Sequence, residues 1–183
     1  MTKSSETKGF TLIELLIVIG VLGVLAAIIL VAVDPAKRLK QARDARRSSE
    51  VNAILNAILN YTVDNKGTLP VSIDAVTTNS QIIGTGTSCG SGPYGSGTNT
   101  VIEVFCSEAA GGITVTSCAD LTTDLVDKYI SEIPIDPKGS DDDVATVTYD
   151  AVRTGYYVQR TANGRVEIGS CAPEDATSIK IRR

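Results

Sequence analysis

The sequence predicts an α+β protein in which a long N-terminal helix precedes a small head built on an antiparallel sheet. The first observation is an apolar run from Phe10 to Val33. The second is a helical repeat of apolar residues beyond that run, and the third is a series of short strand-like segments separated by turn residues. A chain of 183 residues has room for one membrane helix and one modest globular domain.

The apolar run is long enough to span a membrane and contains one acid, Glu14. About 20 residues cross a hydrocarbon core of roughly 30 Å. A carboxylate inside it costs roughly 2.5–3.5 kcal/mol, so a partner is expected. No Lys, Arg or His lies between Phe10 and Val33. Cleavage after Gly9 would leave an ammonium on Phe10, which could pair with Glu14 of a neighbouring subunit.

Helical periodicity resumes past the membrane segment and predicts an amphipathic continuation over residues 34–66. Gly67 and Pro70 end the pattern, and Pro35 is expected to kink a helix running from Phe10 to about Asp64. Ion pairs at i,i+4 are predicted for Lys40 with Asp44 and for Arg46 with Glu50. The predicted core face comprises Val51, Ile54, Leu55, Ile58, Leu59 and Thr62.

Basic residues crowd just past the apolar run, whereas the net charge of the whole chain is −4. This cluster is predicted to contact lipid headgroups or acidic faces of neighbouring subunits, with a solvated helix face as the alternative. A nucleic-acid role has no support, because no aromatic residues interleave the basic ones. The cluster comprises Lys37, Arg38, Lys40, Arg43, Arg46 and Arg47.

The head, residues 67–183, is predicted to combine a variable loop with an antiparallel sheet. Residues 77–100 are rich in Thr, Ser, Gly and Asn and are interpreted as a surface loop. A short amphipathic helix is predicted over 121–130, and Asn163-Gly164 is predicted to be a hairpin turn. The strand candidates are 101–105, 113–116, 144–149, 155–160 and 165–168.

Four cysteines suggest disulfides, because neither His nor a C-x-x-C pair accompanies them. The preferred pairing joins Cys89 to Cys106 and Cys118 to Cys171, since each bond would tether a loop or tail to the sheet. Buried reduced thiols are the alternative.

Three adjacent acids, Asp141, Asp142 and Asp143, offer oxygen ligands to calcium, with Asp136 and Asp150 nearby. A solvated acidic turn is the alternative, since the spacing does not fit an EF-hand loop. No other cofactor is indicated.

Catalysis is not predicted. The chain has no His, which excludes Ser-His-Asp and Cys-His arrangements, and it has no Walker A sequence. Gly90, Gly92 and Gly95 fit G-x-G-x-x-G, but neither a strand before them nor a helix opening within them is predicted, as a dinucleotide site requires. The protein is therefore expected not to be an enzyme.

The segment Gly9-Phe10-Thr11-Leu12-Ile13-Glu14 resembles the processing site of type IV pilins and type II secretion pseudopilins. The resemblance implies removal of leader residues 1–9 by a prepilin peptidase, methylation of Phe10, and polymerisation through a transmembrane and filament-core helix, residues 10–33. It also implies the pilin fold, in which the long helix packs on the sheet. The implied partners are other copies of the chain, the peptidase and methyltransferase, the membrane, and a pilus or secretion assembly machinery.

A second stretch, ending in Pro134-x-Asp136-Pro137, resembles the segment before the final sheet of many pilins and major pseudopilins, some of which carry calcium in this region. The family implies a single-pass protein of the cytoplasmic membrane with its head outside, and later an extracellular or periplasmic filament. The basic cluster taken alone favours a cytoplasmic head, whereas the cysteines favour the outside. The alternatives to a pilus subunit are a major pseudopilin and a membrane-anchored binding domain that never polymerises.

Overall fold

The computed structural model describes residues 9–75, 80–86, 115–139 and 149–183. Contacts divide the chain into two compact units, with the boundary between Leu39 and Lys40. Helix α1 (Leu12–Val33) and the start of α2 (Pro35–Asp64) lie in the first unit, and the rest of α2 and the head form the second. The predicted α+β class is confirmed.

The helical segment is broken at Asp34 rather than merely kinked as predicted. Asp34 has φ 40° and ψ 80°, in the left-handed region, and α2 begins at Pro35. The residue before a proline is disfavoured in the α conformation, because the proline ring clashes with its backbone. Asp34 then accepts a hydrogen bond from the Lys37 amide through Oδ1 at 3.2 Å, which satisfies one free donor at the start of α2.

The apolar face of α2 forms the centre of the head's core. Val51, Ile54, Leu55 and Ile58 are fully buried, and Leu59 packs against the same cluster. The predicted core face of the amphipathic helix is therefore confirmed except at Thr62, which is half-buried and donates its hydroxyl to the Ile58 carbonyl. The stripe covers the sheet, whose buried residues Tyr156, Val158, Val166 and Ile168 belong to the same cluster.

The sheet of the described residues has the strand order β2-β1-β3-β4-β5. All neighbours are antiparallel except β1 and β2, which are parallel. The hairpin turn between β3 and β4 is confirmed, with Gly164 at φ 75°. The strands are β1 (Ser80–Ile83), β2 (Val115–Ala119), β3 (Tyr156–Arg160), β4 (Val166–Ser170) and β5 (Lys180–Arg182).

Strand β1 contradicts the prediction of a surface loop over 77–100. Its four residues are all buried, and it lies between β2 and β3. Only Ile82 and Ile83 carry an apolar signal. The Gln81 side chain is held by backbone partners, accepting from the Asp74 amide at 2.6 Å and donating to the Ser72 carbonyl at 2.9 Å. Hydrogen bonds to other parts of the chain thus allow polar residues inside the sheet, although the composition of this segment is typical of a surface loop.

Other elements differ from prediction in extent. The short helix is only α3 (Thr122–Leu125), although Leu121 and Leu125 face the core as expected. Strand β5 was not predicted, because a three-residue strand gives too short a pattern. The predicted strands 101–105 and most of 144–149 lie outside the described residues.

A buried arginine, Arg47, joins three parts of the head. Its side chain is 0% exposed. Arg47 donates through Nε and Nη2 to the two carboxylate oxygens of Asp136, both at 2.7 Å. Its Nη1 donates to Asp44 at 2.8 Å and to Glu174 at 2.9 Å. Burial acts to lower the pKa of Arg47, but these carboxylates outweigh it and raise the pKa, so the guanidinium stays charged.

The C-terminal segment is held on α2 by Asp44 and Glu174. The Asp44 carboxylate accepts backbone N–H groups of Glu174, Asp175 and Ala176, the closest at 2.8 Å. Glu174 in turn accepts two hydrogen bonds from the guanidinium of Arg43, at 2.5 and 2.6 Å. Because both acids carry several charge-assisted bonds, they fix residues 174–176 against the helix.

These contacts correct two predictions about the basic cluster. Asp44 does not pair with Lys40 but with Arg47 and the C-terminal segment, whereas the pair of Arg46 with Glu50 forms as predicted, at 2.7 Å. Arg43 and Arg47 are engaged by carboxylates of their own chain. The surface available to headgroups or neighbours is therefore smaller than the sequence suggested.

Replacing Arg47 by Met should destabilise the head strongly, because three carboxylates would lose their common cation. A broken buried pair costs about 3–5 kcal/mol, whereas an exposed pair is worth about 0–1 kcal/mol. Arg46→Met is the matched control, since the Arg46 side chain is 65% exposed. Urea unfolding of the detergent-solubilised protein, followed by circular dichroism, measures both. Similar losses in the two variants would contradict the central role of Arg47.

Lowering the pH should weaken the attachment of the C-terminal segment to α2. Burial acts to raise the pKa of Asp44, but the backbone N–H groups of residues 174–176 outweigh it and lower that pKa below 3.8. The hydrogen bonds from Arg43 lower the pKa of Glu174 below 4.5. A carboxyl group with a lowered folded-state pKa stabilises the fold fully above its unfolded pKa, and that contribution is lost as the pH falls through the folded pKa.

Stability is therefore expected to fall below about pH 4.5 and further below pH 3.8. Thermal unfolding measured from pH 7 to pH 3 tests this dependence. Asp44→Asn should show a smaller acid-dependent loss than the unchanged protein, while Asp127→Asn, at an exposed position, serves as the control. If the thermal stability of Asp44→Asn falls with pH as steeply as that of the unchanged protein, Asp44 does not cause the acid-dependent loss.

Candidate functional site

The peptide bond between Gly9 and Phe10 lies in exposed, non-helical backbone just before α1. The Phe10 side chain is 89% exposed. A Cβ placed on Gly9 would meet nothing within 4 Å, so the fold itself does not demand glycine there. The bond is open to a peptidase, and any requirement for Gly9 would have to come from the enzyme that cuts it.

Thr11 and Glu14 form a capping box at the start of α1. The Glu14 amide donates to Thr11 Oγ1 at 3.3 Å. In return, Glu14 Oε2 accepts from the Thr11 amide at 2.9 Å and from the Thr11 hydroxyl at 2.7 Å. Two free donors at the helix N-terminus are thereby satisfied, and the positive end of the helix dipole favours the carboxylate.

This partner of Glu14 within its own chain was missed by the sequence reasoning. The spacing of Thr11 and Glu14 is the S/T-x-x-E signature of a capping box, which could have revealed it. Among the residues that the structure describes, the second oxygen, Oε1, accepts no hydrogen bond. It therefore leaves an acceptor for a further donor, such as an ammonium.

Helix α1 exposes its apolar surface over Leu12–Leu30. One helix of the described residues, Leu12–Leu30, is long and apolar enough to cross a membrane, with a mean hydropathy of 3.0 and none of it buried. Soluble monomers rarely expose contiguous apolar patches beyond a few hundred Å². This surface therefore needs lipid or other apolar helices to cover it.

The predicted calcium acids, Asp141, Asp142 and Asp143, lie outside the described residues, in which no cluster of metal-binding side chains occurs. Asp136, considered as a neighbouring ligand, has both carboxylate oxygens on Arg47. Asp150 accepts the amides of Val152 and Arg153 through Oδ1. Asp136 is therefore a structural anchor, a role that the sequence reasoning did not identify.

The cysteine pairing needs correction. Cys118 on β2 aligns with Ile82, Ile82 with Tyr157, and Tyr157 with Gly169. Cys118 therefore lies three strand spacings, roughly 14 Å, from Gly169, and Cys171 comes two residues after Gly169 in the chain. A disulfide needs Cα atoms within about 7 Å. The predicted bond between Cys118 and Cys171 is therefore wrong, although neither is a free thiol. Cys89 and Cys106 lie outside the described residues.

Comparison with known proteins bears on the N-terminal segment. Residues 5–30 match the family model described as the prokaryotic N-terminal methylation motif. No curated protein and no solved structure matches the chain. The match covers the Gly9–Phe10 bond, the capping box and nearly all of α1. It identifies this segment as the signature of type IV pilin and pseudopilin precursors.

Proposed function

We propose that this protein is the structural precursor of a filament subunit of the type IV pilus or type II secretion pseudopilus kind. A prepilin peptidase hydrolyses the Gly9–Phe10 bond, leaving a carboxylate on Gly9 and an amine on Phe10, which a methyltransferase then methylates. The observation that carries the proposal is an apolar helix, exposed over Leu12–Leu30, whose first turn holds a capped acid just after an accessible Gly-Phe bond.

Assembly follows from a change of surroundings. In the membrane α1 is covered by acyl chains, and in the filament the same surface is covered by α1 helices of other copies. Before assembly the protein is anchored in the cytoplasmic membrane with its head outside. The subunit acts as a building element, so no reaction is assigned to it.

The capping box is compatible with a contact between subunits. Glu14 Oε2 is engaged by Thr11. Oε1 remains able to accept from the methylated Phe10 ammonium of a neighbouring subunit. An opposite charge in a low-dielectric filament core would stabilise the carboxylate and fix the axial position of each new subunit.

The second candidate function is a membrane-anchored binding domain that stays monomeric. It is favoured by the capping box, because Glu14 has donors in its own chain and needs no neighbour to be tolerated near the membrane surface. The two candidates differ in processing and in assembly, and both can be measured.

Processing is expected to yield a chain that begins at methylated Phe10. Intact mass and N-terminal sequencing of protein from the native cell envelope measure this directly. Gly9→Val should stay uncleaved while inserting normally, because a side chain at Gly9 meets nothing in the subunit itself. Recovery of residues 1–9 on the unchanged protein would refute the proposal and favour the monomeric anchor.

Removal of the Glu14 charge is expected to spare insertion and cleavage but to prevent filament formation. Glu14→Gln keeps a side-chain acceptor for the capping box, whereas Glu14→Ala removes it. Both should lose filaments, since loss of one partner of a buried charge pair costs about 2–5 kcal/mol. Thr11→Val is the control that removes the cap but keeps the charge. Filaments are counted by electron microscopy, and normal filaments from Glu14→Gln would contradict the register role.

A further inference from the structure

We infer that a cleft in the head binds a small organic acid, whose carboxylate pairs with Arg160 and whose apolar body rests on the aliphatic side chains beside it. The cleft lies between the end of α2 and the β3–β4 hairpin and has a volume of about 340 Å³. It is formed within the head alone, so binding there requires neither cleavage after Gly9 nor polymerisation.

Strand β3 directs the side chain of Arg160 towards α2. Side chains alternate between the two faces of a strand, so Tyr156, Val158 and Arg160 share one face. Tyr156 and Val158 belong to the core cluster that contains the apolar stripe of α2. Arg160 is the last residue of the strand and lines the cleft. Its guanidinium is thus placed where the apolar core meets solvent.

The guanidinium of Arg160 has no partner among the residues that the structure describes. Its Nε is buried and makes no hydrogen bond. A buried donor without an acceptor raises the free energy of the folded state, because it has given up water for no protein partner. Arg47 is the contrast, since the same head surrounds that guanidinium with three carboxylates. Arg160 is therefore able to take its acceptor from a ligand.

The charge of the cleft favours an anion. Arg183 also lines it, and the guanidinium of Arg183 donates to a neutral acceptor, Asn56 Oδ1, at 3.5 Å. None of the described residues that line the cleft is acidic. The planar fork of an arginine matches the two oxygens of a carboxylate. Because no hydrogen bond anchors Arg160 within the described residues, its side chain can turn Nε and one Nη group towards such a ligand.

The aliphatic wall of the cleft favours an organic acid over an inorganic anion. Leu59, Leu69 and Val166 line the cleft, and the two leucines are only half-buried. A ligand with an apolar body would cover their remaining surface, whereas a phosphate ion would leave it in water. Pockets for small molecules have volumes of about 300–1,000 Å³. This cleft lies near the lower limit, so the ligand is expected to be small.

Benzoate is a suitable probe, because it joins a carboxylate to a flat apolar ring. Its binding to the full-length, detergent-solubilised protein is followed by NMR titration of the arginine Nε–H signals. Benzamide has the same shape without the charge, and inorganic phosphate has charge without the apolar body. Benzoate should bind roughly tenfold more tightly than either, because it alone satisfies both the guanidinium and the aliphatic wall.

Replacement of Arg160 tests which guanidinium binds. Arg160→Gln should weaken benzoate binding roughly tenfold or more, because the charged donor is lost. Arg165→Gln is the matched control, since it makes the same change in net charge at an exposed residue that does not line the cleft. Its affinity should stay within about twofold of the unchanged protein. Arg160→Lys keeps the charge without the planar fork and should give an intermediate affinity.

Absence of saturable benzoate binding, or equal weakening by Arg160→Gln and Arg165→Gln, would overturn the inference. Equal affinity for benzamide would overturn the role of the carboxylate, and equal affinity for phosphate would overturn the role of the aliphatic wall. The three probes are compared on the unchanged protein, so the inference is tested even if Arg160→Gln fails to fold. None of these measurements depends on processing or filaments, so the proposed function is tested separately.

Discussion

The buried guanidinium of Arg47 is the constraint on which the head depends. A fully buried charge costs several kcal/mol unless it is paired, so the fold must bring carboxylates to it from wherever the chain can supply them. They come from the segment after α3, through Asp136, and from the C-terminal segment, through Glu174. This ion cluster fixes the position of α2 relative to the segments that carry Asp136 and Glu174.

The N-terminal segment differs from the head because its own chain does not cover its apolar surface. The buried charges of the head are paired within the chain, whereas the apolar surface of Leu12–Leu30 in α1 is uncovered and needs lipid or other helices around it. Glu14 is tolerated there because the capping box with Thr11 directs its carboxylate to the free donors of the first turn. The same residue that makes the helix N-terminus stable thus retains one oxygen for an intermolecular donor.

The sequence alone determined the features that rest on local pattern: the apolar α1, the buried stripe of Val51 to Ile58, the Asn163-Gly164 turn and the prepilin-type signature at Gly9-Phe10. Periodicity and motif are properties of neighbouring residues, so they need no fold to be seen. Only the tertiary structure decided that Ser80–Ile83 is a central strand, that Asp136 anchors Arg47, and that Cys118 lies too far from Cys171 to bond. Each of these depends on residues distant in sequence, whose proximity is set by strand order and buried charge rather than by local preference.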